Sequence, residues 1–241
     1  MKILFIGDSI IAGKVGVNWI KKLSLKHPHW EIENAGVNGE TISLVGERLI
    51  THLRESPRYA LVIIQGGTND LLIPALPSKG FLYLQAARHL VRKGFNPIVD
   101  ARYFEKKLRL IIARARLQSN ARIILTTIAS LNESPESWIN KQRETLNEVI
   151  RFVAHEAKCG LADPGIAFDQ YLRQRNTRDY MLSNFFSSTW TDPWNCRMGN
   201  ADQLSRERRL YLTIDGVHLN SKGATIYREE MEKAIAINSR F

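Results

Sequence analysis

Four short clusters in this chain carry residue types that can do acyl-transfer chemistry together. Gly7-Asp8-Ser9 follows the apolar run Ile3-Leu4-Phe5-Ile6. A serine at a strand-to-helix turn is a candidate nucleophile, because its own N–H faces outward and the helix dipole favours developing negative charge. Asp215-Gly216-Val217-His218 precedes the last helical stretch. His218 is a candidate general base. Asp215, three residues earlier, is one turn of backbone away from its other ring nitrogen. A carboxylate there fixes the tautomer and stabilises the imidazolium. Gly39 follows the second strand-like stretch and offers a backbone N–H with no side chain in the way. Asn69, in Gly67-Thr68-Asn69-Asp70 after the third apolar run, offers a side-chain N–H. With the Ser9 N–H these make three donors for an oxyanion. Asp8 and Asp70 fit loop or capping roles rather than chemistry.

The elements that must position these clusters can be read from hydrophobic pattern and punctuation. Residues 2–6, 31–35, 59–64, 122–126 and 160–163 read as five strands. Helical spacing of apolar residues is present in 14–26, 43–54 and 100–117. Ser134-Pro135-Glu136 reads as a helix start, with Ser capping and Pro in the first turn. Asn220 or Ser221 can cap a final helix to about residue 237. Strands alternating with helices imply an α/β domain built on a mostly parallel sheet of about five strands. In open α/β sheets the site lies at the carboxyl ends of the strands. All four clusters would then face one rim. Stretches 74–99 and 164–212 fit the rhythm poorly and read as insertions into a single domain spanning 1–241.

At this point the chain resembles the SGNH (GDSL-type) hydrolases. Gly7-Asp8-Ser9-Ile10 matches the nucleophile block, with Ile in place of the usual Leu. Asn34-Ala35-Gly36-Val37-Asn38-Gly39-Glu40-Thr41 matches the second block. Gly67-Thr68-Asn69-Asp70 matches the third, and Asp215-Gly216-Val217-His218 the fourth. The resemblance runs from Lys2 to the last helix and skips both insertions. It implies a flavodoxin-like three-layer αβα sandwich. It also implies hydrolysis of esters or thioesters through an acyl-enzyme, without metal or cofactor. The catalytic residues are expected to be Ser9, Asp215 and His218, with Ser9, Gly39 and Asn69 forming the oxyanion hole. The expected activity is that of a lipase, esterase or acetylesterase. An acyl-thioesterase on the same site, or a non-catalytic binding module on the same fold, are the alternatives.

Rival chemistries fit less well. Gly7 to Lys14 resembles a phosphate-binding loop, but five residues separate Gly7 from Gly13 where four are required. Val15 also stands where Ser or Thr should ligate Mg²⁺. His27-Pro28-His29 has no carboxylate cluster near it in sequence, so no metal site is expected.

The substrate is read from the second insertion. Ser183 to Asn200 holds Phe185, Phe186, Trp190 and Trp194 just ahead of Asp215. Phe186 and Trp190 are expected to line an acyl or leaving-group pocket. Arg197, Arg206, Arg208 and Arg209 would meet any anionic part of the substrate. The expected partner is a small-molecule, glycan or lipid ester.

The composition agrees with a globular protein. The chain has 241 residues, 44% apolar and 24% charged. Its net charge is +10, and the segment from Lys79 to Arg122 alone contributes +9. Such a strip can attract an anionic substrate, a membrane surface or nucleic acid. No zinc-finger spacing or aromatic strip supports nucleic acid. No apolar run approaches the roughly 18 residues of a membrane span. The first strand is too short for a signal peptide, which points to a cytoplasmic chain with Cys159 and Cys196 as free thiols. Nothing in the pattern indicates an oligomeric state.

Overall fold

A computed structural model describes residues 1–56 and 58–239. Five strands build one sheet: β1 (Lys2–Gly7), β2 (Glu31–Gly36), β3 (Leu61–Gln65), β4 (Arg122–Thr126) and β5 (Gly160–Ala162). Their order is β2-β1-β3-β4-β5, and every neighbouring pair is parallel. This is the flavodoxin-like order, with its switch point between β1 and β3. The central strands β1, β3 and β4 are buried over almost their whole length, as strands covered on both faces must be.

Two helical layers cover the sheet. One holds α3 (Ile42–Glu55), α6 (Ala101–Gln118) and α7 (Trp138–Glu156). The other holds α2 (Trp19–Lys26), α8 (Pro164–Leu172) and α11 (Ser221–Asn238). Each buries one apolar stripe. In α6 that stripe is Phe104, Leu108, Ile111, Ile112 and Ala115, while the basic residues stay outside.

Two helix starts differ from the pattern. The stretch expected to be helical from residue 14 is helical only from Trp19. Gly13 turns left-handed after the short α1 (Ser9–Ala12), and Asn18 then caps α2 by accepting from the Lys21 N–H. α7 begins three residues later than Ser134 suggests. Ser137 is its cap, accepting from Asn140, and Ser134 instead accepts from the Ser137 N–H in the preceding turn.

The two irregular stretches also gain definition. The first holds the end of α4 (Thr68–Ala75), a 3₁₀ turn (Leu76–Lys79) and α5 (Phe81–Arg92). The second is not uniform. Its first part, α8, is a core helix that packs on α11 through the fully buried Phe168. After Leu172 come a helical run from Phe185 through the π-turn Ser187–Thr191 into α9 (Asp192–Arg197), and then α10 (Ala201–Glu207). The two stretches meet each other. Tyr83 of α5 sets its ring edge-on to Phe185 and donates to the Ser183 carbonyl. Both therefore cap the carboxyl end of the sheet.

Candidate active site

β1 delivers Ser9 to the rim, and the backbone there is fixed from three directions. Asp8 caps α1 by accepting from the Ile10 N–H at 2.9 Å. The Asp8 N–H donates to Gln65 at the end of β3, and the Gln65 amide donates back to the Asp8 carboxylate at 2.8 Å. Gln65 also donates to Thr68. The tips of β1 and β3 are thus tied together at the switch point. Asp8 is fully buried, and that burial pushes its carboxyl above the usual range despite these donations.

His218 reaches Ser9 from the far end of the chain. Its Nε2 lies 3.1 Å from Ser9 Oγ, and its Nδ1 lies 2.8 Å from Asp215 Oδ2. The other carboxylate oxygen of Asp215 accepts the N–H groups of Val217 and His218 at 3.0 and 2.8 Å. With the carboxylate ionised, Nδ1 carries the proton and Nε2 is left to accept from the serine hydroxyl. Burial opposes charge on both partners, but their mutual attraction wins. Asp215 is held below the usual carboxylate range, and His218 is lifted above its ordinary value. The loop turns sharply at Gly216, with φ +91°. A Cβ there would meet the Tyr180 carbonyl oxygen at 2.1 Å, so only glycine fits between Asp215 and His218.

Glu133 holds that loop from below, and nothing in the sequence singled it out. Its carboxylate is 1% exposed and accepts the N–H groups of Tyr211, Leu212 and Thr213. It also accepts the Thr213 hydroxyl at 2.6 Å. That hydroxyl in turn accepts the Gly216 N–H. A chain of hydrogen bonds therefore runs from the loop between β4 and α7 to the Asp215–His218 turn. On its other side, the Leu182 N–H donates to the Asp215 carbonyl.

The second and third clusters lie together. Asn69 Nδ2 donates to the Glu40 carbonyl at 3.0 Å, which sets this side chain against the Gly39–Glu40 loop. One of its two amide hydrogens is used there. Gly39 has φ +85°, a conformation that favours glycine, with Phe95 as the nearest neighbour of a Cβ built there. Arg48 of α3 fixes the loop by clamping the Glu40 carboxylate and donating to the carbonyls of Ala35 and Gly7. Arg48 likewise carries no spacing or motif signal that points to this role. Asp70 accepts the N–H groups of Ile42 and Ile98, joining α3 to the segment before α6. Burial raises its carboxyl to about 7 against those donations.

The structure thus brings Ser9, His218 and Asp215 into one hydrogen-bonded line and sets Asn69 beside Gly39. Phe186 and Trp190 are placed differently from an enclosed pocket. Their rings stack on one another at 5.5 Å and stay 59% and 58% exposed. Arg208 is not free for a substrate anion, because Asp192 and the Ile214 carbonyl occupy its guanidinium. His27 and His29 are away from this rim. His27 stacks on Trp30 and meets Glu232. Cys159 and Cys196 are both unpaired. Among the described residues no helix is long and apolar enough to cross a membrane.

Comparison with known proteins adds family and fold. The GDSL-like Lipase/Acylhydrolase family matches residues 5–226. No curated protein sequence matches the chain. Among solved structures, an acetyl xylan esterase, AlAXEase, superimposes with TM-score 0.63 at 21% identity, covering 98% of this chain and 100% of that one. Axe2, an acetylxylan esterase from Geobacillus stearothermophilus, gives TM-score 0.63 at 17% identity, covering 97% and 93%. A catalytic mutant of Axe2 with a serine replaced by alanine gives 0.61 at 18% identity, with the same coverage.

Proposed function

The chain belongs to the GDSL-like lipase/acylhydrolase family and hydrolyses esters, and from that premise we propose that it does so through an acyl-enzyme on Ser9. The observation that carries this reading is the unbroken line Ser9 Oγ, His218 Nε2, His218 Nδ1, Asp215 Oδ2. In the first half of the reaction Ser9 Oγ attacks the acyl carbonyl and His218 takes its proton. Negative charge collects on the carbonyl oxygen, where the N–H groups of Ser9 and Gly39 and the free hydrogen of Asn69 receive it. His218 then gives the proton to the leaving oxygen, and the ester C–O bond breaks. In the second half water adds to the acyl-serine, with His218 again as base and then acid. Asp215 holds the imidazole and balances its transient charge, staying ionised throughout.

The pH profile follows from the raised His218. The neutral imidazole is the working base, so kcat/KM falls as pH drops through its pKa. The attraction of Asp215 stabilises the protonated form and moves that limb upward. Its midpoint is expected above the ordinary value of 6.5. A rate independent of pH across that range would remove His218 as the base.

Asn69 is tested by Asn69→Ala. It should lower kcat by about 10²–10³-fold, or about 3–4 kcal/mol, with little change in KM. A rise in KM alone would make Asn69 a ground-state binding residue.

The substrate reading extends to Phe186 and Trp190. They sit on the cap formed where the two irregular stretches meet. Phe185, edge-on to Phe186, packs against the buried cluster of Ile73, Leu76, Tyr83 and Ala87, and so does Phe95, the neighbour of Gly39. That shared cluster, between the aromatic stretch and the Gly39 loop, supports placing the two rings on the path of the acyl group. The experiment is a panel of acetyl, butyryl, octanoyl and palmitoyl esters with matching thioesters. Phe186→Ala and Trp190→Ala should change the octanoyl-to-acetyl ratio by about tenfold. If both variants fold and keep the parental ratios, neither ring contacts the acyl group. The similar acetyl xylan esterases make acetylated glycans one arm to add. Turnover of thioesters over esters would favour the thioesterase alternative.

A further inference from the structure

The helical run from Phe185 to Arg197, with Met198 at its C-terminal cap, leaves one stripe bare. Phe186, Trp190, Trp194 and Met198 follow one another at four-residue spacing, so each stands about one turn above the last. Their exposures are 59%, 58%, 63% and 61%. Two tryptophans, a phenylalanine and a methionine on one ridge form far more exposed apolar surface than scattered single residues do.

The surroundings of this ridge are cationic. The face of α9 next to the stripe, with Pro193, Cys196 and Arg197, closes a cavity of about 760 Å³ against the loop after α1 and against α2. Lys14, Lys21 and Lys22 line the opposite wall. The Gly16 N–H donates to Cys196 Sγ at 3.1 Å and fixes this junction. Among the described residues none of these four cations forms an ion pair. The one carboxylate of the lining is Asp202, whose Oδ1 accepts the Ser221 N–H. Leu25, 74% exposed, adds an apolar edge from α2. Beyond Phe185 lies α5, which carries Arg88 and Arg92, again without ion pairs among the described residues, and Phe81 at 70% exposure. Part of the basic strip noted between Lys79 and Arg122 thus belongs to the same cap as the aromatic stripe.

We propose that this cap is a docking face for an anionic phospholipid surface, with the aromatic ridge entering the headgroup boundary and the flanking lysines and arginines pairing with lipid phosphates. An apolar ridge rich in tryptophan and flanked by unpaired cations is the composition that lies in a membrane interface. Each cation near an anionic leaflet adds about fivefold to binding at low salt. A second copy of the chain fits the ridge less well. It would bring the same unpaired cations, on a molecule of net charge +10, against themselves. The proposal does not require the acyl-enzyme mechanism, only the surface.

Binding is measured by co-sedimentation with vesicles of phosphatidylcholine mixed with phosphatidylglycerol, and with vesicles of phosphatidylcholine alone. The protein should bind the mixed vesicles, bind the neutral ones weakly, and lose affinity as salt rises. Lys14→Gln with Lys21→Gln should lower affinity about thirtyfold at low salt. Trp194→Ser with Met198→Ser should lower it by more than about tenfold. Hydrolysis of a water-soluble acetyl ester by each variant should stay at the parental rate, which separates loss of docking from loss of folding. Absence of binding to mixed vesicles, equal binding to neutral ones, or binding indifferent to both pairs of substitutions would overturn the proposal. So would self-association in light scattering that Trp194→Ser abolishes, since the ridge would then be an interface between copies.

Discussion

Ser9→Ala is expected to lower ester turnover by about 10⁶-fold, leaving KM and folding close to the parent. Ser9 is 8% exposed, and among the described residues its hydroxyl is hydrogen-bonded to His218 Nε2 alone. Removing that oxygen deletes the nucleophile and leaves His218 with no proton to take. The Ser9 backbone N–H survives, so the oxyanion donors survive with it. Residual hydrolysis about 10³–10⁴-fold above the reaction in water is the expected remainder. A Ser9→Ala enzyme with parental turnover would place the chemistry elsewhere.

Asp215→Asn carries the second largest effect, a fall in kcat of about 10⁴-fold. The Asp215 carboxylate is 2% exposed and engages three N–H groups: two from the backbone and one from the imidazole. An amide is nearly isosteric, but its N–H₂ end cannot accept. The two backbone donations keep the carbonyl oxygen on the backbone side. The N–H₂ then faces His218 Nδ1 and forces the proton onto Nε2. In that tautomer the imidazole cannot accept from Ser9. The same substitution removes the attraction that lifts His218, so the acid limb of the pH profile should move down. A variant with parental kcat, or with an unmoved limb, would show that Asp215 does not orient the base.

The parts of the fold that were legible were those set by local pattern. Ile3 to Ile6 and Leu61 to Ile64 are continuous apolar runs, and both are central parallel strands. Ser9, Gly39 and Asn69 could be placed on one rim because each follows a strand in a parallel sheet. The Asp215–His218 pair was legible because three residues of turn suffice to join them.

The supports of these groups were not legible, because their partners are distant in sequence. Glu133 meets Thr213 across 80 residues, and Gln65 meets Asp8 across 57. No spacing rule links such pairs. Arg48 read as one more polar residue on α3, yet it ties Glu40 to the ends of β1 and β2. The start of α7 is ambiguous in sequence for a different reason. Ser134 and Ser137 both suit a cap, and Asn140 decides between them. Its N–H takes the Ser137 hydroxyl, while its side-chain amide donates back to the Ser134 carbonyl. The aromatic stretch before Asp215 stands out in sequence by its composition. That its rings stand mostly in the open depends on which face the π-turn presents, and composition cannot give that.

An acyl-enzyme on Ser9 is tested by peptide mass spectrometry after reaction with a fluorophosphonate. A single adduct per chain is expected, on the peptide that contains Ser9, formed only slowly once His218 is replaced by alanine. An adduct on another serine with Ser9 unmodified, or full loss of activity with no adduct on Ser9, would contradict it.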